Sequence, residues 1–424
     1  MKDREWAHAM YPYINFKLLI FNCFTLEDIV NKKKILIIGW YGEGNIGDEA
    51  ILLSIKNDLE REFSAEVKAL STRVEYTKRM QGVEAVSHMP LSMKSFVLNL
   101  FNFKKFKPAI NAIKESDIIL LGGGGFLSDW SYFNPFNWLK YIVLAKLFGK
   151  KTMLYAIGAG PFRTKFGKFC VRFVVNNYID KITVRDVESK DWLLKSGVKK
   201  EIVISGDPVI GLEYEKSVLD LENKTKKRIT FVLNPYLKEK NPSKYRNLEE
   251  ALIEYIRMFQ DKKYELLFLP FENSRDFEFN KEIIDKSGVE AKLINVELDP
   301  NTTMNILAKS DVVVSLRLHG NIMAAACGTP FLPIVYHHKT AEFIKKLGWE
   351  YQIDVGEGKN WIDKDLNPQE LFDETMEILE KEIVLAEKLE SLKNEYKKLY
   401  SSLFLLCFLE QNYLYIKITL YQKR

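Results

Sequence analysis

The stretch Asp311-Val-Val-Val-Ser-Leu316 is a short apolar run rich in β-branched residues, and Arg317-Leu318-His319-Gly320 follows it directly. The next segment, Asn321-Ile-Met-Ala-Ala-Ala-Cys327, is rich in alanine, the residue with the highest helix propensity. This order predicts a buried strand, a charged loop and a helix. In open α/β sheets, ligands bind beyond the carboxyl ends of the strands, where a glycine lets backbone amides approach an anion. We therefore expect an anion site at Arg317 and His319.

Short apolar runs that suit buried parallel strands recur along the chain and alternate with helical patterns. The predicted strands are residues 35–38, 67–70, 117–121, 152–157, 182–184 and 202–205, followed by 229–233, 265–269, 292–296, 312–316 and 331–335. A polar, charged segment between the two sets is typical of a linker. We therefore expect an α/β fold with two Rossmann-like domains that face each other across a cleft.

The length of 424 residues agrees with this division, because one hydrophobic core rarely supports so long a chain. We expect an N-terminal extension at 1–33, a first Rossmann-like domain at 34–212, a linker at 213–228, a second Rossmann-like domain at 229–367 and a C-terminal helix and tail at 368–424. From Pro368 to about Tyr400 the pattern predicts one long, charged, amphipathic helix.

Composition excludes several classes of protein. Apolar residues make up 47% of the chain and charged residues 28%, as in ordinary soluble proteins. The net charge of +5 is a small excess on a densely charged surface and gives no case for nucleic acid. The cysteines at 23, 170, 327 and 407 are too far apart for a zinc or redox motif, which favours a reducing, cytoplasmic location. We expect no export signal in residues 1–34 and no membrane span at the apolar run 403–409.

The first loop with chemical content is Gly42-Glu-Gly-Asn-Ile-Gly-Asp-Glu49, between the first strand and its helix. Its glycines resemble those of a dinucleotide loop, but Asp48 and Glu49 would repel a pyrophosphate at the helix start. Two interpretations of Asp48 stay open. It is either the N-cap of the helix, or it contacts substrate hydroxyl groups together with Asn45.

Two further glycine-rich loops follow predicted strands. Gly122-Gly-Gly-Gly125 has more glycines than a turn needs, so we expect Gly123 and Gly124 to border a ligand. Asp129, just beyond, is a candidate contact to an acceptor substrate, with simple solvation as the alternative. Gly158-Ala-Gly-Pro161 is adequately explained by a reversal of the chain.

Basic side chains follow two other predicted strands. Arg185 comes after the strand at 182–184 and either reaches the cleft or pairs with its neighbour Asp186. Lys339 follows the strand at 331–335 and is expected beside Arg317. The adjacent residues His337 and His338 lack the i, i+4 spacing of a zinc-binding pair, so we predict no metal site.

Together these loops resemble the polysaccharide pyruvyl transferase family. The matching motifs occur in order over roughly residues 35 to 345: Gly44-Asn-Ile-Gly-Asp-Glu49, Gly122 to Gly125, Gly158-Ala-Gly-Pro161, Arg185-Asp186 with Ser189, Gly206-Asp-Pro208, Arg317-Leu-His-Gly320, and Gly328-Thr-Pro330 leading to Tyr336 and Lys339. The resemblance implies a GT-B-like fold. It also implies transfer of the enolpyruvyl carbons of phosphoenolpyruvate to a sugar, as a cyclic ketal, with release of phosphate.

The resemblance implies a donor-binding site made of three basic residues and two residues that follow Arg317 in the same motif. They are Arg185, Arg317, Lys339, Leu318 and Gly320. Phosphoenolpyruvate is the co-substrate, and its carboxylate and phosphate suit the planar fork of arginine. His319 is the candidate acid for the methylene carbon, because an imidazolium beside a dianion is favoured; the alternative is a histidine that caps the next helix. Asp48 is the candidate base for the attacking hydroxyl. We expect no cofactor.

Two other functions stay open at this point. One is a glycosyltransferase of the same fold, in which Arg317 and Lys339 would hold the diphosphate of a nucleotide sugar. The other is a non-catalytic glycan-binding protein. The presence of Arg185 and His319 together with these two residues argues against the second.

Ser92 to Lys107 interleaves phenylalanines with lysines. The composition predicts either contact with an anionic membrane surface or a packed helix whose lysines point outward. In the first case the glycan acceptor would be lipid-linked, and the cytoplasmic protein would attach peripherally to the inner face of the membrane. The sequence does not predict the oligomeric state.

Overall fold

A computed structural model of the chain describes residues 32–99, 102–129, 133–215, 226–236, 238, 242–260, 263–356, 364–392 and 394. Nearly all of the predicted N-terminal extension, most of the predicted linker and the predicted tail after residue 400 lie outside these residues. The described chain forms two compact units. Unit 1 contains residues 32–43 and 51–208, and unit 2 contains residues 44–50 and 209–394. The predicted domain limits stay predictions.

Unit 1 is built on a parallel sheet of seven strands in the order β3-β2-β1-β4-β5-β6-β7. The strands are β1 (Lys34–Ile38), β2 (Glu66–Ser71), β3 (Glu84–Ser87), β4 (Ile118–Gly122), β5 (Lys151–Ile157), β6 (Lys181–Val184) and β7 (Val203–Ile204). In the centre, Ile35 of β1 is in register with Val67 on one side and Ile118 on the other. The strand order reverses at β1 and β4, as in a Rossmann fold.

Helices connect these strands. They are α1 (Ile46–Phe63), α2 (Val74–Gln81), α3 (Met93–Leu98), α4 (Lys107–Glu115), α5 (Asn134–Leu147), α6 (Lys165–Tyr178) and α7 (Val187–Lys195). The sheet is built in one direction from β1 to β3 and in the other from β4 to β7. Right-handed crossovers therefore place α4, α5 and α6 on the same face. On that face Trp138 and Ile142 of α5 are fully buried in the core with Leu121 of β4.

Unit 2 has a parallel sheet of six strands in the order β10-β9-β8-β11-β12-β13. The strands are β8 (Lys227–Val232), β9 (Tyr264–Phe268), β10 (Lys292–Leu293), β11 (Val312–Ser315), β12 (Phe331–Val335) and β13 (Ile353–Asp354). The helices are α8 (Pro242–Arg257), α9 (Asn273–Ser287), α10 (Pro300–Ala308), α11 (Leu318–Cys327), α12 (His338–Leu347) and α13 (Pro368–Glu380). The strand order is again that of a Rossmann fold, which confirms the predicted fold class.

The eleven predicted strands are all present, but two edge strands were missed. β3 and β13 are short and only partly buried, so neither shows the continuous apolar run of a central strand. The prediction of one long terminal helix is wrong within its described part. α13 ends at Glu380, Lys381 leaves the helical conformation, and helical structure resumes at 382–392. Buried leucines continue through this bend, so their pattern does not reveal it.

The described residues contain no helix that combines the length and the apolar character needed to cross a bilayer.

A buried histidine lies at the end of β3. His88 Nδ1 is 3.2 Å from the Tyr141 hydroxyl, and its ring meets Trp138 edge-on with centroids 5.9 Å apart. Lys140, on α5, is also buried and donates to the carbonyl of Pro90 at 2.7 Å. Burial, with a smaller contribution from the charge of Lys140, lowers the pKa of His88 to about 3. His88 is therefore neutral in the folded protein at physiological pH.

This histidine makes stability depend on pH. The unfolded chain takes up a proton near pH 6.5, whereas folded His88 does not until about pH 3. We therefore expect its contribution to the free energy of unfolding to fall by about 2 kcal/mol between pH 7 and pH 5. His88→Gln, which does not titrate, should lose this part of the decline. Urea unfolding of both proteins at the two pH values checks it, and equal declines would contradict it.

Candidate functional site

Unit 2 gathers polar side chains at one edge of its sheet, because all its parallel strands end there. Asn234 follows β8, Glu272 follows β9, Arg317 follows β11 and Tyr336 follows β12. β11 lies between β8 and β12 in the sheet, so its exit is the centre of the group. This is the edge at which open α/β sheets bind ligands.

Arg317 stands at the N-cap position of α11. Its Nη2 donates to Asp276 Oδ1 at 2.5 Å and to Glu272 Oε2 at 3.2 Å. Burial by itself would lower the pKa of Arg317, but the carboxylates of Asp276 and Glu272 outweigh burial and raise the pKa. The guanidinium is therefore permanently charged. The sequence analysis missed both carboxylates, which balance much of the positive charge assigned to this site.

Asp276 anchors this ion pair from inside the protein. It is fully buried, and its Oδ2 accepts hydrogen bonds from the amides of Phe271 and Glu272, each at 3.0 Å. Burial raises the pKa of Asp276, while the charge of Arg317 acts in the opposite direction. The charge of Arg317 thus offsets the free-energy cost of burying the ionised carboxylate of Asp276.

His319 lies in the first turn of α11 and packs against residues 44–50, which belong to the same unit. A Cβ atom placed on Gly47 would lie 2.2 Å from His319 Nδ1. Only glycine therefore allows this contact without displacing the imidazole. The segment is held by a hydrogen bond from the amide of Ile46 to the carbonyl of Phe271 at 2.9 Å. Two glycine-containing motifs that are far apart in sequence thus meet here.

The same segment rules out one of the two interpretations of Asp48, and its contact with substrate stays a prediction. Helix α1 begins at Ile46, and Asn45 Oδ1 accepts from the amide of Gly47 at 3.1 Å, so Asn45 has the capping role. The N-cap interpretation of Asp48 is wrong, because Asp48 is already inside the first turn. Its neighbour Gly47 touches His319, so Asp48 lies within one residue of that contact. Glu49, also in this turn, is fully buried, which was not predicted from the sequence.

The loop after β12 contains the two adjacent histidines. His337 caps α12, because its Nδ1 accepts from the amide of Lys339 at 3.1 Å. This gives His337 a structural role and places Lys339 in the first turn of α12, after the exit of β12. The expected position of Lys339 beside Arg317 stays a prediction. Tyr336, just before, accepts a hydrogen bond from Asn234 Nδ2 at 3.1 Å, and burial raises the pKa of its hydroxyl. Nowhere in the described chain do three or more His, Cys, Asp or Glu residues form a cluster that could hold a metal.

Leu318 and Gly320 flank His319 in the sequence Arg317-Leu318-His319-Gly320. Leu318 is the first residue of α11. A Cβ atom on Gly320 would lie 2.3 Å from Ser315 Oγ and 3.0 Å from Val232 Cγ1. Glycine thus allows α11 to pack closely on β8 and β11. Ser315 Oγ also bonds to the amide and the carbonyl of Arg317, at 3.0 and 2.9 Å, which fixes the backbone at the strand exit.

Unit 1 shows a similar exit after β4. Gly123 and Gly124 have φ values of +71° and +82°, which favour glycine. A Cβ atom on Gly123 would lie 2.0 Å from Ile51 Cγ2, and the carbonyl of Gly124 accepts from the amide of Gly158 at 2.8 Å. Backbone conformation and close packing therefore account for both glycines. Their expected approach to a ligand stays a prediction.

Arg185, after β6, is buried against the neighbouring loop. A Cβ atom on Gly158 would lie 2.9 Å from its Nη2. Its Nε donates to Asp186 Oδ2 at 3.2 Å, and its Nη1 lies 3.6 Å from Asp207 Oδ2. Asp186 also caps α7. The expected pairing with Asp186 is present, and the sequence analysis assigned no role to the second carboxylate, Asp207.

Asp129 braces the loop that precedes α6. Its Oδ2 accepts from the amides of Arg163 and Thr164, each at 2.6 Å, and its own amide donates to the carbonyl of Pro161 at 3.1 Å. These bonds give the carboxylate a structural role that neither earlier alternative included. Contact with an acceptor stays a prediction.

One signal could have revealed the carboxylates that hold Arg317. Glu272 and Asp276 are four residues apart at the start of a helix that follows a strand, so they share a helix face at the ligand-binding edge. Asp207 lies in a recognised motif, but nothing local indicates which arginine it meets. Trp40 was also passed over. It follows β1, is 38% exposed and meets Trp138 edge-on.

Comparisons with known proteins agree with this description. The family model of polysaccharide pyruvyl transferases matches residues 45–338. No curated protein matches the chain.

Several solved structures share the fold. A UDP-GlcNAc 2-epimerase from Methanocaldococcus jannaschii has 12% identity and a TM-score of 0.53, with 82% of this chain and 92% of that chain covered. A UDP-GlcNAc 2-epimerase from Neisseria meningitidis, bound to UDP-GlcNAc, has 13% identity and a TM-score of 0.53, with 88% of this chain and 99% of that chain covered. A glycosyltransferase from Rickettsia africae has 12% identity and a TM-score of 0.55, with 90% and 97% covered. Such identities establish the fold alone, which is α/β and GT-B-like.

Proposed function

Because the chain belongs to the polysaccharide pyruvyl transferase family, we propose that it transfers the pyruvyl group of phosphoenolpyruvate to a sugar of a cell-surface polysaccharide or its lipid-linked precursor. The products are a pyruvate ketal and phosphate, and the reaction takes place in the cytoplasm. The observation that carries the proposal is the contact between Gly47 and His319. It joins two of the motifs on which the family resemblance rests.

The donor carries a carboxylate and a phosphate, and the exit of β11 suits an anion. The N-terminus of α11 contributes backbone amides and the positive end of the helix dipole. Arg317 adds a guanidinium that Asp276 and Glu272 hold in one orientation. In this proposal Lys339 binds the same donor from the neighbouring strand exit, while the role of Arg185 as a donor ligand stays a prediction from the sequence. Arginine suits these roles because its donors match both groups.

His319 is proposed to protonate the methylene carbon of phosphoenolpyruvate. The double bond then supplies the electron pair for the new C–H bond, and the carbon that bears phosphate becomes oxocarbenium-like. One sugar hydroxyl attacks that carbon and loses its proton to a base. A second hydroxyl then displaces phosphate and closes the ring, and its proton leaves with the phosphate. Proton transfer by a positioned side chain contributes roughly 10²- to 10⁴-fold to a rate. The backbone of Gly47 lies against the imidazole, so a side chain at residue 47 would displace it.

Asp48 is proposed as the base that accepts the proton of the attacking hydroxyl. Its place in the first turn of α1, next to Gly47, supports this assignment, because the acid and the base must act on the same small molecule. Asn45 and Asp129 were the other acceptor candidates. Both have an oxygen engaged by backbone amides, so we give them a positioning role.

The direct test is release of phosphate from phosphoenolpyruvate in the presence of a panel of lipid-linked and synthetic glycans, with mass spectrometry of the ketal product. We expect release only with a suitable acceptor. In a binding experiment, we expect phosphoenolpyruvate to raise the thermal unfolding temperature and nucleotide sugars to leave it unchanged. Stabilisation by a nucleotide sugar alone would overturn the proposal and favour a glycosyltransferase.

Gly47→Ala tests the contact at His319. The added methyl group would lie within 2.2 Å of Nδ1, so the imidazole must move. We expect the turnover rate to fall at least tenfold, because catalysis depends on sub-ångström placement of the acid. Gly82→Ala is a suitable control, since a Cβ there meets nothing within 4 Å although its φ of +58° disfavours alanine. The control should lose some stability and keep its rate. An unchanged rate in Gly47→Ala would show that the contact has no catalytic role.

A further inference from the structure

Unit 1 contains a long segment with a strongly biased charge. Residues 85–179 hold thirteen lysines and arginines but only three acidic residues, Glu115, Asp117 and Asp129, a net charge of +10. The whole chain has a net charge of only +5, so all other residues together are acidic. Two of the three carboxylates are bound to backbone amides, Asp117 to that of Lys34 and Asp129 to those of Arg163 and Thr164. Lys140 is buried and Lys146 pairs with Asp180, but most of the other cations are exposed, so the segment presents a basic surface.

Helix α6 carries an exposed aromatic and basic stripe. Phe169 and Phe173 are 52% and 46% exposed, and their rings stack with centroids 5.8 Å apart. Lys165, Lys168 and Arg172 are also exposed on this helix, which contains no acidic residue. The opposite side of α6 is buried in the core. Two solvent-facing phenylalanines among three cations are typical of a helix that lies at a membrane interface.

A second stripe of the same kind lies at α3 and the turn that follows it. Val97, Leu98 and Phe103 are 53%, 73% and 75% exposed. The exposed cations of this region are Lys94, Lys104, Lys105 and Lys107. Phe96 and Phe106 instead pack against each other, with ring centroids 5.4 Å apart. Some apolar residues of Ser92 to Lys107 therefore pack inward, as the packed-helix alternative expects, whereas others face solvent.

Helix α5 joins the two stripes into one surface. Phe136 of α5 contacts Phe96 of α3 with centroids 6.1 Å apart. Phe133, just before α5, contacts Phe166 of α6 at 5.5 Å. Right-handed crossovers also place α5 and α6 on the same side of the sheet. We refer to the exposed residues of α3, its following turn and α6 as the basic aromatic face.

We propose that the basic aromatic face binds the surface of a lipid bilayer that contains anionic headgroups. Each lysine or arginine near such a surface is attracted electrostatically to the anionic headgroups. The phenylalanine rings enter the boundary between the headgroups and the acyl chains. Soluble monomers rarely expose large apolar patches without an interaction partner. A nucleic acid would match the charge but offers no apolar layer for Val97, Leu98 and Phe103. The membrane is the partner that fits both properties.

Membrane binding by this face does not depend on the proposed function, but its benefit to catalysis does. If the acceptor is a lipid-linked glycan, docking by this face concentrates the enzyme where its substrate is anchored. Binding to lipid can be measured without any acceptor or turnover, so its failure and the failure of the pyruvyl transfer proposal are distinguishable.

The test is sedimentation of the full-length protein with vesicles of phosphatidylcholine alone or with phosphatidylglycerol added. We expect binding to the anionic vesicles, weaker binding at high salt, and little binding to phosphatidylcholine. The triple variant Lys165→Glu, Lys168→Glu, Arg172→Glu should bind at least tenfold more weakly. Lys281→Glu, Lys292→Glu, Lys364→Glu is the matched control. It makes the same change of net charge at exposed lysines of unit 2 and should bind as the unaltered protein does.

A second variant tests the apolar contribution. Phe169→Ala with Phe173→Ala removes two half-exposed rings, so it should fold normally by thermal unfolding and lose the part of the binding that resists salt. The proposal is overturned if the protein does not bind anionic vesicles. It is overturned as well if the control triple variant loses as much affinity as the triple variant in α6. It is also overturned if light scattering shows that the face instead joins two copies of the chain and the dimer does not bind lipid.

Discussion

His319→Ala is expected to lower the rate of phosphate release from phosphoenolpyruvate by about 10²- to 10⁴-fold, the range that a positioned acid contributes. The imidazole follows the β11 exit in the first turn of α11, where Gly47 packs against its Nδ1. His319→Asn should be equally slow, because an amide can donate a hydrogen bond but cannot deliver a proton. In both variants the KM for phosphoenolpyruvate should change much less than kcat.

The matched control for this experiment is His338→Ala. His338 is an exposed histidine in the first turn of α12, at the neighbouring strand exit. Its removal should leave the rate within about threefold of the original, because surface substitutions usually have small effects. Full activity in His319→Ala would remove this residue as the proton donor. Equal losses in both histidine variants would indicate that the region responds to any change of charge.

Arg317→Ala is expected to lower the free energy of unfolding by about 3–5 kcal/mol, the usual cost of removing one partner from a buried ion pair. Asp276 is fully buried, and its Oδ1 would lose the guanidinium while Oδ2 keeps its two amide bonds. Burial already raises the pKa of Asp276, and loss of the opposing charge should raise it further. The stability deficit should therefore be small below about pH 4, where the unfolded carboxylate is protonated too, and grow toward neutral pH. Urea unfolding at several pH values measures it.

A double variant separates stability from ligand binding at this position. In Arg317→Ala with Asp276→Asn, the amide oxygen can keep the bonds of Oδ2, and no buried charge remains. We expect most of the lost stability to return, while thermal stabilisation by phosphoenolpyruvate stays absent. Recovery of both properties would mean that Arg317 is only a structural partner of Asp276. Recovery of neither would mean that the ion pair is not the source of the instability.

The fold was largely predictable because its signals are local. Each central strand is a short apolar run, as a strand covered on both faces must be, and each is followed by a polar or glycine-rich exit. The edge strands β3 and β13 were missed because partial burial demands no such run. The bend at Lys381 was missed because buried leucines continue on both sides of it.

By itself, the sequence determined which residue types stand at each strand exit, including Arg185, Arg317 and His319, and so suggested the class of ligand that we propose. Only the tertiary structure decided which side chains meet. Arg317 is held by Glu272 and Asp276, His319 packs on Gly47, and Asp48 is not a cap. The physical reason is that hydrophobic periodicity records only whether each residue is buried, and this can be read from the local sequence. A buried ion pair or a close backbone contact depends instead on which distant segments the sheet brings to the same edge.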